Sequence, residues 1–188
     1  MSLAVQELAI SGIKLLTPKR FGDTRGFFSE TFNAHAFAQA GLTAPFIQDN
    51  HSLSAMRGTV RGLHFQAPPH AQAKLIRVLR GRVLDVVVDI RKGSPTYGEH
   101  VTIELSAENW AQLWVPVGFV HGFCTLAPDT EVAYKVTGYY APKAELGIFW
   151  RDPDLGIVWP EFAGAQVSTK DAALPGWRDF QSPFTFEG

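Results

Sequence analysis

Cysteine is almost absent from this chain: Cys124 is the only one in 188 residues. A single thiol excludes an internal disulfide framework and fits a reducing compartment, so a cytoplasmic protein is expected. Long apolar runs are missing as well. None approaches the roughly 20 residues that span a bilayer, and the N-terminus lacks the basic-then-apolar layout of a signal peptide, which leaves export without support. Charge of one sign is scarce: 17 Lys and Arg against 18 Asp and Glu give a formal net charge of −1, with no block of like charge. Neither nucleic acid nor an anionic membrane is therefore expected as a partner, and any anionic ligand has to be met by a local cluster. Closely spaced metal ligands are lacking too. Zinc and iron sites collect three or more His, Cys or carboxylate groups, but His64 has no His-x-His partner because Gln66 stands there. Metal catalysis thus ranks below proton transfer, and Cys124, with no base beside it, reads as a small buried hydrophobe. Met1-Ser2-Leu3 and Glu187-Gly188 read as cloning remnants and receive no structural role.

Helix is equally sparse. Only residues 33–40 carry a convincing helical pattern, with Asn33 as N-cap, alanines in the middle and Gly41 as the stop. What abounds is β punctuation: 17 Gly and 12 Pro divide short segments rich in Val, Ile, Phe, Tyr and Trp. Strands are expected over 74–79, 83–90, 100–105, 112–115 and 131–137, most alternating with period two. The 46% hydrophobic content is enough for a sizeable core, and no internal repeat or low-complexity segment divides it. The expectation is all-β: one domain over residues 1–188, a sandwich, jelly roll or closed barrel, with a looser C-terminal segment from about Asp152.

Alternation also assigns faces. Leu84, Val86, Val88 and Ile90 share the face expected to be core, with Asp85, Val87 and Asp89 on the other. Tyr134 falls in phase with Val132 and Val136, and Lys74 with Ile76 and Val78, so a phenol and an ammonium are expected to point inward. A polar lumen would accommodate both.

The run Arg61-Gly62-Leu63-His64-Phe65-Gln66, with Lys74 beyond it, sets an imidazole and an ammonium together in strand-like sequence. An imidazole can take a proton near neutral pH and a neighbouring cation can hold the resulting anion. Alone, His64 would read as a satisfied core histidine; so many polar groups in one apolar hairpin point instead to a ligand or partner. Arg61 and His64 have opposite parity and face one side only if Gly62 marks a bulge. Arg25, after Phe21-Gly22-Asp23-Thr24, is either a local ion pair with Asp23 or a phosphate-binding arginine flanked by aromatics. Gln48-Asp49-Asn50-His51 reads first as a solvated turn, second as donors and acceptors for hydroxyls or base edges. Ser168-Thr169-Lys170-Asp171 is either a helix cap or places Asp171 against one nitrogen of His64.

Taken together, the chain resembles the cupin-fold dTDP-4-dehydrorhamnose 3,5-epimerases of deoxysugar biosynthesis. The likeness runs through Phe21-Gly22-Asp23-Thr24-Arg25-Gly26-Phe27-Phe28, Gln48-Asp49-Asn50-His51-Ser52, Arg61-Gly62-Leu63-His64-Phe65-Gln66, Val88-Asp89-Ile90-Arg91, Leu105-Ser106-Ala107-Glu108-Asn109, Val120-His121-Gly122-Phe123 and Thr169-Lys170-Asp171-Ala172. It implies a cupin-like jelly roll and an isomerase acting on dTDP-4-dehydro-6-deoxy-glucose at C3 and C5, without redox cofactor or metal, as a homodimer. By the same resemblance His64 is the general base, Asp171 its partner, Tyr134 the opposite-face proton donor and Lys74 the enolate-stabilising cation. Arg25, Glu30, Gln48, Asn50, Arg61, His121, Glu145 and Lys170 fall at substrate contacts. The alternatives within this chemistry are a single-site 3- or 5-epimerase and a 3,4-ketoisomerase on a related nucleotide sugar. From other classes stand a metal-dependent cupin oxygenase and a non-catalytic nucleotide-sugar binding protein.

Overall fold

The structure, a computed structural model, describes residues 2–161 and 165–187. In chain order it contains β1 (Leu3–Glu7), β2 (Lys14–Pro18), β3 (Phe21–Asp23), β4 (Gly26–Phe28), α1 (Ala34–Gln39), β5 (Gln48–Ser54), β6 (Val60–Gln66) and β7 (Lys74–Arg80). There follow β8 (Arg82–Asp89), β9 (Arg91–Lys92), β10 (His100–Ser106), β11 (Gln112–Val115), β12 (Phe119–Thr125), β13 (Thr130–Val136), β14 (Glu145–Gly147), α2 (Thr169–Ala172) and β15 (Phe184–Thr185). The strands build two antiparallel sheets, ordered β1-β2-β11-β7-β13-β5 and β10-β8-β12-β6-β14, with β3-β4 and β9-β15 as separate small pairs. The expected all-β jelly roll with short helices is what forms. No helix among the described residues is long and apolar enough to cross a membrane.

Period-two alternation explains the layers. Ile76, Val78, Leu113 and Val132 project from the six-stranded sheet onto Val83, Val87, Leu105, Phe119 and Phe123 of the five-stranded sheet, and this is the inter-sheet core. The outer face of the six-stranded sheet is closed by α1. Asn33 caps that helix by accepting from the Ala36 N–H, and Phe37 packs with Leu16, Leu75 and Trp114. Gly41 follows at φ +87°, the left-handed turn for which glycine is suited.

The outer face of the five-stranded sheet departs from expectation. Val86, Val88 and Ile90 do lie on one buried face, but that face packs against Ile148, Trp150, Leu155, Phe180 and Phe184. Leu84 is only partly buried. The opposite face, carrying Asp85, Val87 and Asp89, is equally buried because it lines the space between the sheets. Asp89 is matched there by Arg91, Ser94 and Thr96, which donate to it over 2.6 to 2.9 Å. Regular structure thins after Asp152, yet the segment is the cover of this sheet: the Phe65 ring meets those of Phe180 and Phe184 edge-on at 5.8 and 5.6 Å.

Two further expectations change. The run Gln48-Asp49-Asn50-His51 is no turn but the start of β5, with Gln48 and Asn50 partly buried and Asp49 and His51 exposed. Leu3 opens β1 and packs against the α1 cluster, so it has a structural role, while Met1 and Gly188 lie outside the described residues. Phe180→Ala should destabilise the protein by about 3–5 kcal/mol in a denaturant titration, the cost of emptying a large aromatic site. A loss under about 1 kcal/mol would show that the C-terminal cover is not part of the core.

Candidate active site

Two glycines set the site. Gly62 sits in β6 at φ +135°, and a Cβ there would come within 2.5 Å of the Gly122 Cα on β12. Only glycine at both positions lets these backbones approach so closely. Along the same pair of strands His121 lies opposite His64 and Phe123 opposite Arg61, so three steps on β6 match two on β12. That extra residue is a β-bulge, and it cancels the parity difference: Arg61 and His64 both line the inter-sheet cavity.

The cavity has a volume of ≈ 450 Å³ and is walled by Arg61, His64, Lys74, His121, Tyr134 and Asp171, with Ser52 and Ser168 at its edge. A second recess of ≈ 380 Å³ shares His64, Lys74 and Tyr134 and adds Gln48, Asn50, Gln66, Tyr140 and Glu145. His64 and His121 come from the five-stranded sheet, while Lys74 and Tyr134 come from the six-stranded sheet facing it. The space between is therefore addressed from both walls.

Each polar group has a defined neighbour. Asp171 Oδ1 lies 2.8 Å from His64 Nε2, and the Gly62 N–H donates to Asp171 Oδ2 at 3.3 Å. Ser168 caps α2 by accepting from the Asp171 N–H, so both readings of that segment hold at once. A carboxylate only accepts, so Nε2 carries the proton and Nδ1 keeps its lone pair. Glu145 Oε1 stands 4.0 Å from Nδ1. Its other oxygen accepts from the Tyr140 hydroxyl at 2.7 Å and is ion-paired with Lys170 at the rim. Gln48 donates to Asn50 at 2.9 Å and accepts from the Tyr140 N–H at 3.1 Å. Arg61 donates to Ser54 Oγ and to the Leu53 carbonyl.

His121 Nε2 lies 2.9 and 3.0 Å from the two oxygens of Asp85, a residue with no solvent exposure. Asp85 was not among the candidate residues, and neither was Tyr140. The signal for Asp85 was present: a carboxylate alternating with Val87 in an otherwise apolar strand, on the face opposite the one expected to be core.

Arg25 and Glu30 lie away from both recesses, and Lys170 lines neither but stands at the rim on Glu145. Arg25 sits at the tip of the β3-β4 hairpin, 88% exposed in its side chain, and donates to Asp23. Glu30 accepts from Asn33 Nδ2 at 2.9 Å. The hairpin's Phe21, Phe27 and Phe28 are 53, 57 and 70% exposed. Among the described residues no cluster of three or more His, Cys, Asp or Glu side chains has the arrangement of a metal site.

Burial tunes these groups toward proton transfer. Loss of solvent lowers the His64 pKa, opposed by the charge and hydrogen bond of Asp171, so the ring is neutral at pH 7. Burial also pulls the Lys74 ammonium down to about 8, with Asp85 and Glu145 acting in the other direction. Tyr134 is raised by burial and holds its proton. Replacing Asp171 by Asn removes a charge that raises the His64 pKa, so the pKa must fall further. An NMR titration of the His64 ring protons should show that decrease in Asp171→Asn; an unchanged or higher value would break the dyad assignment.

The comparisons with known proteins agree with one another. The family model described as dTDP-4-dehydrorhamnose 3,5-epimerase matches residues 7–179. The dTDP-4-dehydrorhamnose 3,5-epimerase of Sinorhizobium fredii is 50% identical over 181 residues, 96% of this chain and 93% of that protein. The crystal structure of that enzyme from Bacillus anthracis, with TDP and PPi bound, is 48% identical. It superposes with a TM-score of 0.91, over 93% of this chain and 99% of that one. A Legionella pneumophila dTDP-6-deoxy-D-glucose-3,5-epimerase in complex with dTDP-4-keto-L-rhamnose gives a TM-score of 0.92 at 44% identity, covering 96% of this chain and 95% of that one. With the jelly roll and the His64–Asp171 cavity in place, the chain belongs to the dTDP-4-dehydrorhamnose 3,5-epimerase family.

Proposed function

We propose that this protein is an isomerase that converts dTDP-4-dehydro-6-deoxy-glucose into dTDP-4-dehydro-rhamnose by inverting C3 and C5. One observation carries the reading: a base, a cation and a phenol share one cavity, with His64 on one wall and Lys74 and Tyr134 on the other. The C3 and C5 protons flank the C4 ketone, so removing either places negative charge on the C4 oxygen. His64 Nδ1 takes the proton, Asp171 holds the ring and stabilises the imidazolium, and Lys74 meets the enolate oxygen. Return of that proton by the same imidazole would regenerate substrate. Inversion needs a donor on the other face, and Tyr134, protonated and on the opposite wall, fills that role.

Gln48, Asn50, Arg61, His121, Glu145 and Lys170 surround this centre and are assigned to substrate contacts. Arg25 and Glu30 join them only in a homodimer. The β3-β4 hairpin, with its exposed phenylalanines, is suited to reach a second copy and present its arginine to the dTDP phosphates there. The cytoplasm is the assigned compartment, consistent with a lone buried thiol.

His64→Ala should lower the epimerisation rate by about 10²–10⁴-fold, the range for a positioned general base; near-normal turnover would refute the role. If the hairpin serves its partner's site, mixing inactive His64→Ala with inactive Arg25→Ala subunits should restore part of the activity, because mixed dimers then contain one intact site. No recovery in demonstrably mixed dimers would confine each site to one chain.

A further inference from the structure

The cavity holds more charge than the proton-transfer scheme uses. Its carboxylates can be matched one by one. Asp171 is committed to His64 Nε2 at 2.8 Å. Glu145 has its pair in Lys170 and a hydrogen bond from Tyr140. Asp85 remains. It lies on β8 between Ile103 of β10 and Phe123 of β12, fully buried on the face whose Val83 and Val87 pack against Ile76 and Val78 of β7. The single Nε2 hydrogen of His121 serves Oδ2, and Oδ1 has no hydrogen bond of its own. A buried carboxylate with an idle oxygen is costly unless a cation compensates it. Opposite, on β7, Lys74 has the reverse need: an ammonium inside the sandwich whose hydrogen bond goes to the His64 carbonyl at 3.4 Å, a neutral acceptor.

We propose that Asp85 is a positioning residue for the reaction: the buried anion that keeps Lys74 charged as substrate dries the cavity, while holding His121 by its Nε2 edge. The inference rests on the reading of Lys74 as the enolate cation. An ammonium stabilises an enolate oxygen only while protonated, and substrate entry removes the water that otherwise helps to keep it so. Glu145, the other carboxylate within electrostatic reach of Lys74, divides its charge with Lys170 and His64. Asp85 shares its own only with His121. The remaining groups around the ammonium are Arg61 and His64 on β6, His121 on β12, Tyr134 on β13, Tyr140 after β13 and Asp171 on α2; Arg61 is a second cation that itself disfavours the ammonium, and none of them adds an uncommitted negative charge. Lys74 titrates at about 8 even with both anions present, so the reserve is small.

The test is the pH dependence of kcat/KM with dTDP-4-dehydro-6-deoxy-glucose. The unaltered enzyme should lose activity along an alkaline limb near pH 8 as Lys74 deprotonates. Asp85→Asn preserves shape but removes the charge; the ammonium becomes harder to keep, its pKa falls, and the limb should move to lower pH by roughly one unit or more, the scale of a nearby opposite charge. A variant that is slower at every pH with its limb unmoved would overturn the proposal, since that is what a structural carboxylate would give. Should Asp85→Asn not fold, His121→Phe, which cannot donate to the carboxylate, gives the complementary reading. Freed from the imidazole, Asp85 acts more fully on Lys74, and the limb should move to higher pH; an unmoved or lowered limb would count against the role. Absence of any alkaline limb in the unaltered enzyme would instead remove Lys74 as the enolate cation, which is a separate failure.

Discussion

His64, Lys74, His121, Glu145 and Asp171, with Arg61 and Tyr134 beside them and Asp85 buried against His121, converge between two sheets whose facing core is built of Ile, Val, Leu and Phe. An unpaired ion in such a place costs far more than one hydrogen bond returns, so each group has to find opposite charge or shift its pKa. Both happen here. His64 and His121 each rest against a fully or nearly fully buried carboxylate, and Lys74 gives up part of its basicity. The same adjustment leaves a neutral imidazole, a protonated phenol and a still mostly charged ammonium at pH 7, the states that the proposed enolisation and opposite-face reprotonation call for. Burial and reactivity have one cause.

The scaffold tolerates this because apolar cohesion is placed elsewhere. Each sheet has a second, outward core, one closed by α1 around Phe37 and the other by the C-terminal segment around Phe180 and Phe184. The inter-sheet layer can therefore be polar at one end without leaving either sheet unsupported. The close passage of Gly62 over Gly122 and the accompanying bulge then aim His64 and Arg61 into that polar end.

Much of this was legible in the chain, and the gaps have physical reasons. Alternation placed Tyr134 and Lys74 inward, and the Asn33 cap and Gly41 stop bracketed α1 to within a residue. Alternation could not say which face of 83–90 looked at solvent, because in a strand covered on both sides neither does. Asp85 was overlooked for that reason. Gln48 to His51 read as a turn since polar residues dominate it, but only every second one is exposed in β5. The His64–Asp171 pairing spans more than a hundred residues, and no local pattern specifies it; the resemblance to a family did. Arg25 and Glu30 were assigned to the site by the same resemblance, and within one chain they do not reach it.

Carbanion chemistry at both carbons flanking the ketone is what this site has to perform. The direct measurement is NMR of the sugar after incubating the protein with dTDP-4-dehydro-6-deoxy-glucose in deuterated water. Deuterium at both C3 and C5, with inverted configuration at each, is the predicted result. Deuterium at one position would make the protein a single-site epimerase, and deuterium at neither would contradict proton abstraction from this sugar altogether.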